Sequence, residues 1–195
     1  MPFTYQELIY AAVNNAMRGM ETSVSANLDA EMIAQTLFPE VAQSVCESIA
    51  ANDERRQLLL RQKTLTFVAG EAILTSDVLQ DYIWDSVLID ATSNMTLRKK
   101  YAYRPYPQFV QSRDKRLGIY SIRGTDTIVL CEPNVAFSSP LTASGTRLLN
   151  TPCVVESPAA ATDQMDCPAQ VLSDLSEALS NALRGEMAKL AGAAA

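Results

Sequence analysis

Three aspartates, Asp77, Asp81 and Asp85, stand four residues apart and are the first residues whose spacing suggests chemistry. On a helix their carboxylates line one face, where they could hold a divalent cation or divide acid and base work between them. On a strand that arrangement dissolves. The same stretch holds Tyr82, Ile83, Trp84, Val87 and Leu88, so the simpler account is an amphipathic element with a wet acidic edge. Other chemistry is excluded by what the sequence lacks. It has no histidine, which closes every route through an imidazole base, a Ser-His-Asp triad or a histidine metal ligand. The four cysteines, Cys46, Cys131, Cys153 and Cys167, are separated by 85, 22 and 14 residues, unlike any CxxC metal or redox motif. They read as small apolar residues of a chain folded in a reducing cytoplasm. No G-x-S-x-G, S-x-x-K or phosphate-loop pattern occurs. No catalytic residue, metal site or cofactor is assigned, and the expectation is a protein that is not an enzyme.

A second constellation is electrostatic. Arg98, Lys99, Lys100, Arg104, Arg113, Lys115, Arg116 and Arg123 share their stretch with one acid, Asp114, a local net of +7 in a chain whose total is −6. The remainder therefore carries −13, and such asymmetry suits contacts between copies or with an acidic partner as well as it suits DNA. The interaction candidates here are Arg98, Lys99, Lys100 and Arg104. Tyr101, Tyr103, Tyr106 and Phe109 are interleaved with them, the composition of a single-stranded nucleic-acid platform and equally of an ordinary strand pair with a solvated face. Pro105 and Pro107 predict an edge or loop there, and the net negative charge argues against coating nucleic acid.

The positioning elements follow from periodicity. Thr4 and Glu7 have capping-box spacing before Leu8, Ile9, Ala12 and Ala16, which predicts a helix of about four turns. Leu28, Met32, Ile33, Leu37, Val41, Val45 and Ile49 predict a second helical stripe, with Pro39 expected to kink or divide it. Asn52-Asp53 offers a cap for a short piece through Leu58 to Leu60. From Lys63 the period falls toward two. Strands are expected at 64–68, at 97–103 and at 148–155, with a turn at Gly70 and a hairpin of 118–122 with 127–131. Asp77 to Leu88 reads as a helix entering a strand or as one bent strand.

After Pro168, Leu172, Leu175, Leu179, Leu183, Met187 and Leu190 recur at three or four, a last amphipathic helix. Leu175, Leu179, Leu183 and Met187 are its interaction candidates. The helix either completes the N-terminal core or docks in a neighbour's groove.

The resulting fold class is α+β: an N-terminal helical hairpin or bundle, a small central antiparallel β-sheet of about five or six strands, and a C-terminal helix. The expected organisation is a helical region over 1–62, a β-rich region over 63–156 packed with it as one domain, a connector over 157–170, and a helix and tail over 171–195. No stretch approaches the roughly 20 apolar residues of a membrane span.

The order of these parts, with Tyr5-Gln6-Glu7-Leu8, the D-E-R-R-Q-L-L-L run at 53–60 and Leu117 to Gly124 with Thr127-Ile128, resembles the head-to-tail adaptor (connector ring) proteins of tailed bacteriophages. The resemblance covers roughly residues 1–135. It implies a virion structural protein without a cofactor, assembled in the host cytoplasm into a homo-oligomeric ring, commonly a dodecamer. That ring would sit beneath the portal protein, meet tail or nozzle proteins, and pass DNA through its lumen without sequence-specific binding during genome ejection. The alternatives are another tail-completion or minor virion component, or a nucleic-acid-binding accessory module.

Overall fold

The computed structural model describes residues 3–18, 24–90, 100–111, 118–132 and 144–193, with backbone only at 24–27, 85, 100, 192 and 193. The chain forms two compact units, residues 1–59 with 154–195, and residues 60–153.

The first unit is a three-helix bundle of α1 (Tyr5–Ala16), α2 (Val24–Ala50) and α4 (Ala169–Ala193). The capping box at Thr4 forms as expected, with the Glu7 amide donating to Thr4 Oγ1 at 3.2 Å and the Thr4 amide to Glu7 Oε2 at 2.8 Å. The next α1 amides are satisfied by the connecting segment: Tyr5 donates to the Asp163 carbonyl at 3.1 Å and Gln6 to that of Ala161 at 2.9 Å. Pro39 neither divides nor ends α2, which runs unbroken through it. The proline is exposed, so water can serve the carbonyl deprived of its helical donor.

The face α2 buries is not led by its largest residues. Ala30, Ala34, Phe38, Ala42 and Cys46 are buried in steps of four, whereas Leu28 and Met32 are 58% and 63% exposed. Small side chains let the helices approach closely, and the core is filled from the other side by Leu8, Ile9 and Val13 of α1 and Leu175, Leu179 and Leu183 of α4. After α2, Asn52 Oδ1 accepts from the amides of Glu54 and Arg55, and buried Arg56 folds back to donate Nε to the Ala50 carbonyl at 2.6 Å.

The second unit corrects the expected small central sheet. Seven strands, β1 (Leu60–Phe67), β2 (Glu71–Ile73), β3 (Val87–Asp90), β4 (Lys100–Tyr103), β5 (Ile119–Arg123), β6 (Thr127–Cys131) and β7 (Gly145–Pro152), are ordered β1-β7-β3-β4-β5-β6-β2. The two outermost strands meet in a hairpin, so the sheet curls into a nearly closed barrel. Val68 and Glu71 exchange both main-chain hydrogen bonds, at 2.9 and 3.1 Å, around Ala69 (φ 51°) and Gly70 (φ 81°). Positive φ at both central positions is the tight turn whose twist matches the flanking strands.

Closure makes one face of every strand an interior. Leu65, Phe67, Ala72, Leu88, Tyr101, Tyr120, Ile128, Leu130 and Leu149 fill it, a packed core and not a channel. One pairing, β4 with β5, is parallel, which requires a crossover. That crossover carries α3 (Tyr106–Gln111), whose Phe109 covers Ile119, Val129 and Cys131 on the outer face. The prolines had predicted an edge or loop at this point; Pro107 instead sits in the helix's first turn, where a missing N–H costs nothing.

Candidate functional site

The acidic triad does not assemble. Asp77 lies before the 3-10 turn Gln80–Asp85, so spacing by four does not put it on a face with Asp81. Its carboxylate is buried and ion-paired with Lys63, while Asp81 is exposed and the Asp85 side chain lies outside the described residues. Burial pushes the Asp77 carboxyl up, but hydrogen bonds from Lys63 and Thr75 outweigh it and leave the group below the usual carboxylate range. Beside it, burial and the Asp77 charge push the Cys153 thiol up to about 12, so it is an inert thiol. Among the described residues, no group of three or more His, Cys, Asp or Glu side chains is placed to hold a metal ion. No described helix is long and apolar enough to cross a membrane.

The basic segment is divided by the strand it occupies. Arg98, Lys99, Arg113, Lys115 and Arg116 lie outside the described residues, and Lys100 is described by its backbone alone. Lys100 begins β4 and faces Ile89, whereas Arg104 follows its last residue and donates its amide to the Tyr120 carbonyl at 2.9 Å. Four strand residues, about 13 Å, therefore put these two cations at opposite ends of the barrel. The interleaved aromatics divide as well: Tyr101 points into the core, Phe109 is a buried cover, and Tyr106 stacks on Phe109 at 6.3 Å with 37% exposure. Arg123 is ion-paired with Glu71 at 2.7 Å.

One buried cation escaped sequence reasoning. Arg147, on the inward face of β7, donates Nη2 to Glu132 at 2.9 Å and Nε to the Tyr101 hydroxyl at 3.2 Å, and lies 3.6 Å from Asp90. Tyr101 in turn donates to Glu132 at 2.9 Å, and burial with that carboxylate pushes its phenol up to about 12. The strand pairings bring Asp90, Lys100, Ile119 and Arg147 to one end of the barrel. No local pattern marks such a set, because its members are up to 57 positions apart. The network closes one end of the core, and Lys63 with Asp77 forms a second ion pair at its boundary. Between them the Tyr120 hydroxyl donates to the Ser86 carbonyl at 2.7 Å and the Ser86 hydroxyl to that of Thr151 at 2.7 Å. Each of these groups is engaged within the barrel.

No protein-family model matches the chain, and a search of curated proteins finds no match.

An open cavity lies in the helical unit, about 640 Å³ along the seam of α1 and α4. The two helices run parallel, since Ser180 Oγ is 3.1 Å from the Ala12 carbonyl and Arg184 reaches those of Asn15 and Ala16. The interaction candidates of α4 are divided by this packing. Leu175, Leu179 and Leu183 are completely buried in the bundle's own core, while Met187, one turn further on, is half-buried. What α4 leaves open is its polar stripe: Ser173, Ser176, Glu177, Asn181 and Arg184 line the groove with Phe3, Asn15, Arg18 and Leu172. The signal was present in the sequence as the polar side of the last helix, but only packing against α1 turns that side into a concave surface.

Proposed function

We propose that the chain is a non-enzymatic assembly component of a virion, a head-to-tail adaptor whose copies form a ring beneath a portal protein and above tail or nozzle proteins, with DNA passing through the lumen. The reading rests on the resemblance of residues 1–135 to that family. The observation that carries it is where large apolar side chains stand. Ile73 and Val68, at the β1–β2 hairpin, are 64% and 71% exposed, and Trp84, the one tryptophan of the chain, is 52% exposed; on α2, Leu28 and Met32 are likewise exposed. Single exposed apolar residues need no explanation, but covering several on both units is the contribution an assembled neighbour makes, at about 25 cal/mol per Å² buried. The charged side chains of Arg147, Asp90, Glu132, Lys63 and Asp77, by contrast, are committed to partners within the barrel.

The test is a pair of surface variants, Trp84→Ser with Ile73→Ser on the barrel and Leu28→Ser with Met32→Ser on α2, each mixed with purified portal rings. The expected result is an unchanged melting profile with loss of co-sedimentation in at least one of the pairs. Wild-type protein that does not sediment with portal, or two variants that both sediment like wild type, would contradict the reading.

A further inference from the structure

The groove between α1 and α4 combines a fixed cation, a free cation and an apolar end. The Arg184 guanidinium is held by the last carbonyls of α1, with Nε donating to Ala16 at 3.3 Å and Nη2 to Asn15. A helix C-terminus carries partial negative charge, so it both attracts and orients the guanidinium. Two of its five N–H groups are used, and the others remain for a ligand. Arg18 follows the end of the same helix and is exposed. Among the described residues neither arginine is ion-paired with a carboxylate. Glu177, the acid of the lining, stands seven residues from Arg184, about 10 Å along the helix, and does not neutralise it.

At the other end Phe3, Ala169 and Leu172 form an apolar wall. Leu172 and Arg184 are twelve residues apart, about 18 Å of helix, the length of five to six extended residues. Asn15, Ser173, Ser176 and Asn181 lie between, with amides and hydroxyls suited to a peptide main chain.

We propose that this groove binds a short extended acidic peptide segment of a partner protein, with its carboxylates on Arg18 and Arg184 and an apolar side chain against Phe3 and Leu172. A small inorganic anion would leave the apolar end wet, and a purely apolar segment would leave a preorganised guanidinium facing nothing. Charge selects the orientation. The unit holding the groove has 5 Lys and Arg against 14 Asp and Glu, so the cationic end of the groove stands out against an acidic surround and orients an acidic segment. The site is independent of the adaptor reading, and its failure would leave the solution mass of the protein unaffected.

The experiment uses the full chain and a fluorescein-labelled hexapeptide, Leu-Ala-Ser-Ala-Asp-Glu, read by anisotropy against its neutral counterpart ending in Asn-Gln. The account expects saturable binding of the acidic peptide that weakens with salt, at least tenfold weaker binding of the neutral one, and at least tenfold loss in Arg18→Glu. Arg184→Gln should lose binding as well, but it also removes a contact to α1. Arg18→Glu, which changes an exposed side chain beyond the helix, therefore decides the matter, with its fold checked by circular dichroism. Absence of saturable binding, equal binding of both peptides, or an Arg18→Glu variant that binds like wild type would overturn the proposal.

Discussion

The helical unit and the barrel solve the same problem, polar groups inside a small core, in opposite ways. In the bundle the buried polar side chains Ser180 and Arg56, and the exposed Arg184, turn to main-chain carbonyls of helices. Those carbonyls are orphaned at helix ends or spare a lone pair, so a single side chain suffices. The barrel has few orphaned carbonyls inside, because the strands pair with one another. Its inward charged side chains find other side chains, Arg147 with Glu132, Asp90 and Tyr101, and Lys63 with Asp77, while the neutral Tyr120 hydroxyl takes the Ser86 carbonyl. The consequence is a difference in fragility. Removing one member from the bundle loses a hydrogen bond, whereas removing one from the barrel strands a charge. Net charge follows the same division, with −9 on the helical unit and +3 on the barrel, where 11 Lys and Arg stand against 8 Asp and Glu.

The largest expected effect comes from stranding those charges. Arg147→Met leaves Asp90 and Glu132 without their cation and should cost about 3–5 kcal/mol in urea unfolding. Adding Glu132→Gln should restore a good part of that loss; a single variant as stable as wild type would erase the contrast. Next come the apolar fillings. Leu149→Ala in the barrel and Leu179→Ala in the bundle, both fully buried, should each cost about 2–5 kcal/mol. Trp84 fluorescence reports the barrel and far-ultraviolet circular dichroism is dominated by the helices, so the first variant should move the fluorescence transition more and the second the dichroism.

A smaller effect is expected from pH, and its sign follows from direction. The Asp77 carboxyl is held low in the fold, so its contribution is present above the ordinary carboxylate value of about 4 and is lost as pH falls through the depressed one. Cys153 and Tyr101 are pushed up to about 12. Their contributions are intact below the ordinary thiol and phenol values, near 9 and 10, and are lost as pH rises from there toward 12. Asp77→Asn should flatten the acid limb of the fluorescence-detected stability curve and, because the Asp77 charge helps hold the Cys153 thiol up, weaken the thiol part of the alkaline limb while leaving the Tyr101 part in place. The smallest change is Thr4→Ala, which removes the α1 cap and should cost about 1 kcal/mol, seen in the dichroism transition.

How much of this was legible in the sequence follows the same division. The bundle is local: Thr4 with Glu7 gave the start of α1, and the leucines after Pro168 gave α4. The buried stripe of α2 lies off the line of its large residues, because close helix packing favours Ala30, Ala34 and Ala42 over Leu28 and Met32, and side-chain size alone does not reveal that. In the barrel, single strands, β4 within 97–103 among them, and the β5–β6 hairpin could be read from alternation, but β2 is three residues long and carries no signal of its own, and the parallel pairing of β4 with β5 through a helix has no local signal. Closure depends on Ala69-Gly70 bringing the first strand against the last in sheet order, a relation that exists only once β7 has paired with β1. The groove was half legible, since the polar stripe of α4 is visible in the sequence and its parallel seating on α1 is not.

The adaptor reading is tested most directly by the mass of the purified protein in solution, alone and with portal rings, by light scattering or native mass spectrometry. The account predicts a closed ring whose mass is a multiple of the 21.3 kDa chain, formed by the protein itself or on the portal. A species that stays at the mass of one chain in both conditions would contradict it.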